Sequence, residues 1–304
     1  MRASFASNRR IASGRPGRAE GESALRRAFV LALAVVLALP TMAQRDKDSF
    51  TPVSLDAGFG RIDLSEPPIP IGEIIRRFSA RESDFEKALA RYTWRRTIRV
   101  QSFDDDDKVD GEWYQIDDVL FNSTGRRIEK TSFAPENTLK HFQISPSDLQ
   151  DLQNGMFLVL TQEEIGLYNL KYAGRQRVDE VDCYVFDVAP KAVEKHKRYF
   201  QGRIWVDATD LLIVVTHGRM IPDDTRRGHE DLHPPFMTWR QQVDGQYWFP
   251  VYTKGEGTLH FVSGSGDPAR DAHIRETIQY SDYKRFGSTT TFTMEGPAEE
   301  PKKK

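Results

Sequence analysis

The sequence predicts an α+β fold that is mainly β, with about ten or eleven antiparallel strands and a few helices. Three observations carry this. From Tyr92 onward apolar and polar residues alternate with period two, in runs rich in Trp, Tyr, Val and Ile. The runs are separated by short clusters of turn residues. No strand–helix–strand alternation appears, which argues against a parallel nucleotide-binding sheet.

The elements follow in chain order. Residues 1–27 hold seven Arg and only two acids, and Ala28–Leu39 is an unbroken apolar run closed by Pro40. Thr41 and Ala43 place small residues at the −3 and −1 positions of a cleavage site. This is the pattern of a secretory signal peptide over 1–43, since twelve apolar residues are too few to span a bilayer, which needs about 20. Without the leader the formal charge moves from −2 to about −7. The expectation is an exported, periplasmic, soluble protein. No Cys follows the apolar run to take a lipid anchor, and the single Cys183 cannot form an intrachain disulfide. The near-neutral overall charge argues against a nucleic-acid partner.

Residues 44–70 are polar, then Pro-rich, and read as a linker. Ile71, Ile74, Ile75 and Phe78 lie at helical spacing, and Ser83 with Glu86 forms a capping box before Phe85, Leu89 and Tyr92. Two short helices, or one broken helix, are therefore expected before the first strand. A β-meander then runs from YTWRRTIRVQSF through a solvated DDDDKVDG tip to EWYQIDDVLFN and RRIEKTSF. Residues 145–170 read as a helical interlude, with a helix from Ser147 and a capping box at Thr161 and Glu164. Hairpins follow, turning at Asp179-Glu180, at Ala208-Thr209-Asp210 and at Asp244-Gly245, the last a strong signal. Gly255-Glu256-Gly257 and Gly264-Ser265-Gly266 read as turns. The β-rich domain is expected over 71–288, and 289–304 as a disordered tail.

The sharpest catalytic motif is His229-Glu230-Asp231-Leu232-His233, a formal HExxH. On a helix its two His would share a face and bind zinc, with the Glu as general base. Gly228 before it and Pro234-Pro235 after it leave no room for the turns of helix that this chemistry needs. The motif reads as a charged loop between strands, and a zinc hydrolase with Glu256 as third ligand is the catalytic alternative. Cys183 reads as a buried structural residue in a strand. The sequence carries no nucleophile elbow, P-loop or dinucleotide fingerprint, and no cofactor is expected.

Aromatic content on the strands stands out. Trp94, Trp113, Trp205, Trp239 and Trp248 all fall on predicted strands. They could fill a core between sheet and helices. Alternatively, a strongly curved sheet keeps part of its concave face as an apolar cavity, where an acyl chain would gain about 0.8 kcal/mol per CH₂ buried. The pattern leaves both readings open. The candidate ligand-binding residues are Trp94, Ile98, Val100, Trp205, Trp239, Arg240, Trp248 and Phe249, with Arg240 placed at the rim to meet a headgroup.

Several segments in fixed order carry a resemblance. They are Tyr172-x-Gly174 before a hairpin, a strand ending Pro190-Lys191, Ile204-Trp205-Val206-Asp207, the Arg240 strand, Val243-Asp244-Gly245 and Trp248-Phe249-Pro250. Over about residues 72–287, most clearly 168–262, the chain resembles the LolA/LolB-type lipoprotein-carrier superfamily. It departs in an insertion around 222–235 and an extended C-terminal tail. The resemblance implies an incomplete β-barrel with helices lidding its concave face, no catalytic apparatus, and a lipid or an acylated lipoprotein as ligand. It also implies partners in the inner- and outer-membrane lipoprotein machinery. Members of this shape also act as envelope sensors, which is the alternative within the same fold.

Overall fold

The computed structural model describes residues 59–140, 142–154, 157–194, 197–222, 234–261 and 270–286. All lie in the second of the two units into which the chain divides, residues 48–304. The expected signal peptide, the HExxH motif with His229 and His233, the 264–266 turn and the C-terminal tail lie outside the described residues.

The described chain begins with helix α1 (Ile71–Leu89), followed by strands β1 (Tyr92–Phe103), β2 (Val109–Phe121) and β3 (Arg127–Phe133). Helix α2 (Pro146–Asn154) and a 3₁₀ turn (Ile165–Leu167) lead to β4 (Tyr168–Val178), β5 (Val181–Pro190), β6 (Tyr199–Asp207) and β7 (Ile213–Ile221). Strands β8 (Phe236–Gln242), β9 (Trp248–Phe261) and β10 (Arg270–Arg285) complete it. The ten strands form one antiparallel sheet in the order β3-β2-β1-β10-β9-β8-β7-β6-β5-β4. The two ends do not pair, so the sheet is an incomplete barrel with the helices on its concave face.

Period-two alternation explains β1. Tyr92, Trp94, Arg96, Ile98, Val100 and Ser102 are buried, while Arg95 and Arg99 between them are exposed. In β6 the alternation vanishes, because eight of its nine residues are buried. Ile204 and Val206 join the main core under the helices, and Trp205 joins a second cluster on the opposite face with Val215 and Met237. This stretch of sheet is covered on both sides.

The second cover is the chain before α1. Within the expected linker, residues 59–70 form a strap along the free edge of β4. Asp63 N–H donates to Arg175 O at 2.8 Å and Arg175 N–H returns a bond to Asp63 O at 2.7 Å. The Gln176 side chain donates to Gly60 O at 2.7 Å, and the Tyr172 hydroxyl donates to Ser65 O at 3.1 Å. Phe59 meets Trp205 edge-on at 5.4 Å between ring centres. Gly174 makes this approach possible: it sits in a β-bulge with φ +132°, and a Cβ there would lie 2.4 Å from Asp63 O.

Four local expectations are corrected. Helix α1 runs unbroken through Ser83, whose hydroxyl donates to Ser79 O at 3.1 Å and accepts from Gln162 N–H at 3.0 Å. It therefore caps nothing. Helix α2 starts at Pro146, one residue before the expected Ser147, and Ser145 caps it: Ser145 Oγ accepts from Asp148 N–H at 3.2 Å, and Asp148 accepts from Ser145 N–H at 2.7 Å. Thr161 Oγ1 accepts from Glu164 N–H at 3.2 Å but opens no α-helix: only the 3₁₀ turn follows, with Glu164 as its N-cap, before β4 begins at Tyr168. Gly255 and Gly257 are not in a turn but lie within β9, where Pro234 and Phe236 pack against Gly255 and Pro234 against Gly257.

Candidate ligand-binding face

Helix α1 lays one stripe on the sheet: Ile74, Phe78, Glu82 and Phe85, each fully buried. The spacing of four, four and three keeps them on one side of the helix. Phe78 packs against Phe186 of β5 at 5.8 Å, and Phe85 meets Phe249 of β9 edge-on at 5.4 Å and Phe157 at 5.9 Å.

Glu82 is the polar member of the stripe. Its carboxylate accepts from both terminal nitrogens of Arg240 on β8, at 2.9–3.2 Å, and from Ile213 N–H at 3.0 Å. Arg240 Nη2 also donates to Leu158 O. The guanidinium lies over the rings of Phe85 and Phe157, at 5.0 and 4.9 Å. Burying two charges is repaid only when their geometry and remaining hydrogen bonds are good. Here both terminal nitrogens of Arg240 are engaged, while its Nε has no hydrogen-bond partner among the described residues.

A second buried arginine holds α2. Arg96 of β1 donates to Asp117 of β2 at 3.1 Å, to Glu129 of β3 at 2.7 Å, and to Gln153 O in the last turn of α2 at 3.0 Å. Gln115 and Thr131 fill the remaining oxygen of Asp117, at 2.7 and 2.9 Å. Each helix is thus pinned to the sheet by one arginine. The main core also buries Tyr280, and burial pushes its hydroxyl up to about 12.

Of the sequence-predicted site residues, Trp94, Ile98, Val100 and Phe249 share the main apolar cluster with the α1 stripe. Arg127 covers the Trp94 ring at 4.1 Å. Arg240 lies under α1, 4% exposed, rather than at a rim. Trp205 and Trp239 belong to the cluster on the opposite face, and Trp248 touches both clusters. The Trp205 indole donates to Gln176 at 2.8 Å. Sequence reading missed Glu82, Arg96 and Asp117; an acid at a buried stripe position of α1 was the available signal.

The remaining chemical candidates are quiet. Cys183 is buried in β5, and desolvation raises its thiol to about 12, so little thiolate forms at neutral pH. Glu256 sits in β9 and is held at about 2, chiefly by its hydrogen bond from Arg275. Asp104 at the β1–β2 tip accepts from the N–H groups of Asp106 and Lys108, at 3.0 and 2.9 Å. Among the described residues no group of three or more His, Cys, Asp or Glu is arranged to hold a metal ion. No helix among them is long and apolar enough to cross a membrane.

No protein-family model matches the chain, and no curated protein matches it. Solved structures do. A DUF1329 family protein from Desulfovibrio piger is 14% identical, with 73% of this chain and 95% of that one covered and a TM-score of 0.34. LolA superfamily protein NE2245 from Nitrosomonas europaea is 11% identical, covers 69% and 95%, and has a TM-score of 0.27. A putative outer membrane lipoprotein-sorting protein domain from Vibrio parahaemolyticus is 11% identical, covers 72% and 93%, and has a TM-score of 0.31. The incomplete barrel rests on the strand order and register described above.

Proposed function

We propose that the protein is an exported, non-catalytic carrier that shields the acyl chains of a lipid or lipoprotein on the helix-covered face of its sheet. The observation that carries this reading is the manner of closure. An open sheet presents a continuous apolar face, and much of that face is covered by the side chains of one amphipathic helix, α1. An acyl chain that takes the place of Ile74, Phe78 and Phe85 exchanges one apolar neighbour for another, so affinity stays moderate and the ligand can be passed on. The leader-like 1–43 segment supports export, and the donor and acceptor would be lipoprotein machinery of the two membranes.

The test is purification of the full chain from bacterial membranes, followed by native mass spectrometry and lipid extraction. Co-purifying lipid released on unfolding is the expected result. Absence of lipid, together with no binding of a hydrophobic dye, overturns the proposal.

A second reading, an envelope sensor or interaction module with no carried ligand, is favoured by one observation. Ile74, Phe78 and Phe85 are wholly out of solvent, so the chain fills its own face.

A further inference from the structure

We infer that the cleft between the end of α1 and the β8–β9 turn is a binding site for an anionic phosphate headgroup. This rests on the carrier reading above and names the chemical class of its ligand. The cleft has a volume of about 220 Å³ and is lined by Lys87 and Arg91 from α1 and its end, Arg285 from β10, and Tyr92, Asp244 and Tyr247.

Three cations converge there. Lys87 and Arg91 are four residues apart and share a side of the helix end, and Arg285 is brought alongside because it pairs with Tyr92 across β1 and β10. The side chains of Lys87 and Arg91 have no ion pair or hydrogen bond among the described residues, and both are exposed. Asp84 also lines the cleft, so the cations outnumber the carboxylates by one. The other carboxylate, Asp244, is satisfied from within the protein. It accepts from the Tyr92 hydroxyl at 2.7 Å and from the N–H groups of Gln246 and Tyr247 at 2.9 and 3.0 Å. Its hydrogen-bonding capacity is therefore used in holding the turn, while its charge still counts against the three cations.

The floor of the cleft differs from its rim. The Tyr92 ring packs on Phe249 at 4.8 Å, and the Tyr247 ring on Phe85 at 6.1 Å. Both tyrosines thus belong at once to the cleft and to the apolar cluster under α1. A cationic rim above an aromatic floor that leads to the covered face suits an amphiphile with its phosphate outside and its chains inside. The cleft's 220 Å³ equals about seven waters at roughly 30 Å³ each, room for a polar headgroup and not for the chains as well. Guanidinium groups supply the paired donors that a phosphate accepts.

The same chemistry could come from a phospholipid or from free phosphate, and the experiment separates them. Titration calorimetry on the full chain uses three probes: dihexanoyl phosphatidylglycerol, dihexanoyl phosphatidylcholine and inorganic phosphate. The intact protein is compared with the double variant Lys87→Gln, Arg91→Gln, and unfolding in urea checks that the variant folds. The expected result is tighter binding of the anionic lipid than of the zwitterionic one. In the double variant that preference falls by about 25-fold, at roughly fivefold per surface cation, and higher salt weakens it in the intact protein. Equal binding of both lipids, or an unchanged preference in the variant, overturns the headgroup site and leaves the carrier reading standing. Failure of both lipids to bind defeats the carrier reading. Inorganic phosphate binding as tightly as the anionic lipid, and lost in the variant, keeps the cleft as an anion site and assigns it to free phosphate.

Discussion

Glu82 of α1 and Arg240 of β8 are 158 residues apart in sequence and 2.9 Å apart in space. Both side chains are at most 1% exposed. The pair joins the helix to the middle of the sheet and fixes where α1 sits along it.

Breaking this pair on one side strands a buried charge. Arg240→Met and Glu82→Leu are each expected to destabilise the fold by about 3–5 kcal/mol, and the double replacement by far less, since two apolar groups strand no charge. Urea unfolding of the four proteins as a double-mutant cycle measures the coupling. Additive losses would show that the pair does not act as a unit.

Phe85 touches Phe249, Phe157 and Tyr247, and it stacks under Arg240. Phe85→Ala is expected to cost about 3–5 kcal/mol and to leave a cavity between α1 and β9. Fluorescence of a hydrophobic dye in native buffer should rise in this variant. No rise would mean that the sheet and helix collapse together to close the gap.

Much of this arrangement was legible in the sequence. The hairpins at Asp179-Glu180, Ala208-Thr209-Asp210 and Asp244-Gly245 stand where their turn residues placed them, because turn chemistry acts locally. Helix α1 was misread because Ser83-x-x-Glu86 meets the pattern of a cap, while Ser83 is held by Gln162, 79 residues away. The side taken by Trp205 could not be read, because β6 is buried on both faces and period two then carries no contrast. Arg240 looked like a rim residue because its partner lies on another element, and pairing between elements leaves no mark on local periodicity.

Gly174 carries the strap. Gly174→Ala places a methyl group against Asp63 O in a backbone region that L-residues rarely adopt, and it is expected to cost about 1–3 kcal/mol. The loss should be local: hydrogen exchange at Asp63 and Arg175 should accelerate, while amides of β1 and β10 keep their protection. Uniform acceleration would instead mean global destabilisation.

His217 of β7 gives a pH dependence. Burial, and then the nearby Arg203 charge, lower its pKa from 6.5 to about 4. The unfolded chain therefore binds the proton first, and stability falls as pH drops from about 6.5 towards 4. Below that range both states are protonated and this contribution levels off. Urea midpoints across the interval should fall less steeply in His217→Gln than in the intact protein; equal slopes would assign the acid sensitivity to other groups.

The two free edges of the sheet are kept from recruiting other chains by different means. All seven residues of β3 are exposed, and Arg127, Glu129 and Lys130 place charges along that border, which discourages addition of another strand. The β4 border has the strap. A chain shortened to begin at Ile71 would keep α1 and its aromatic packing but bare the amide and carbonyl of Arg175, and with them a template for strand addition. Its first failure would be growth into aggregates through β4 rather than unfolding.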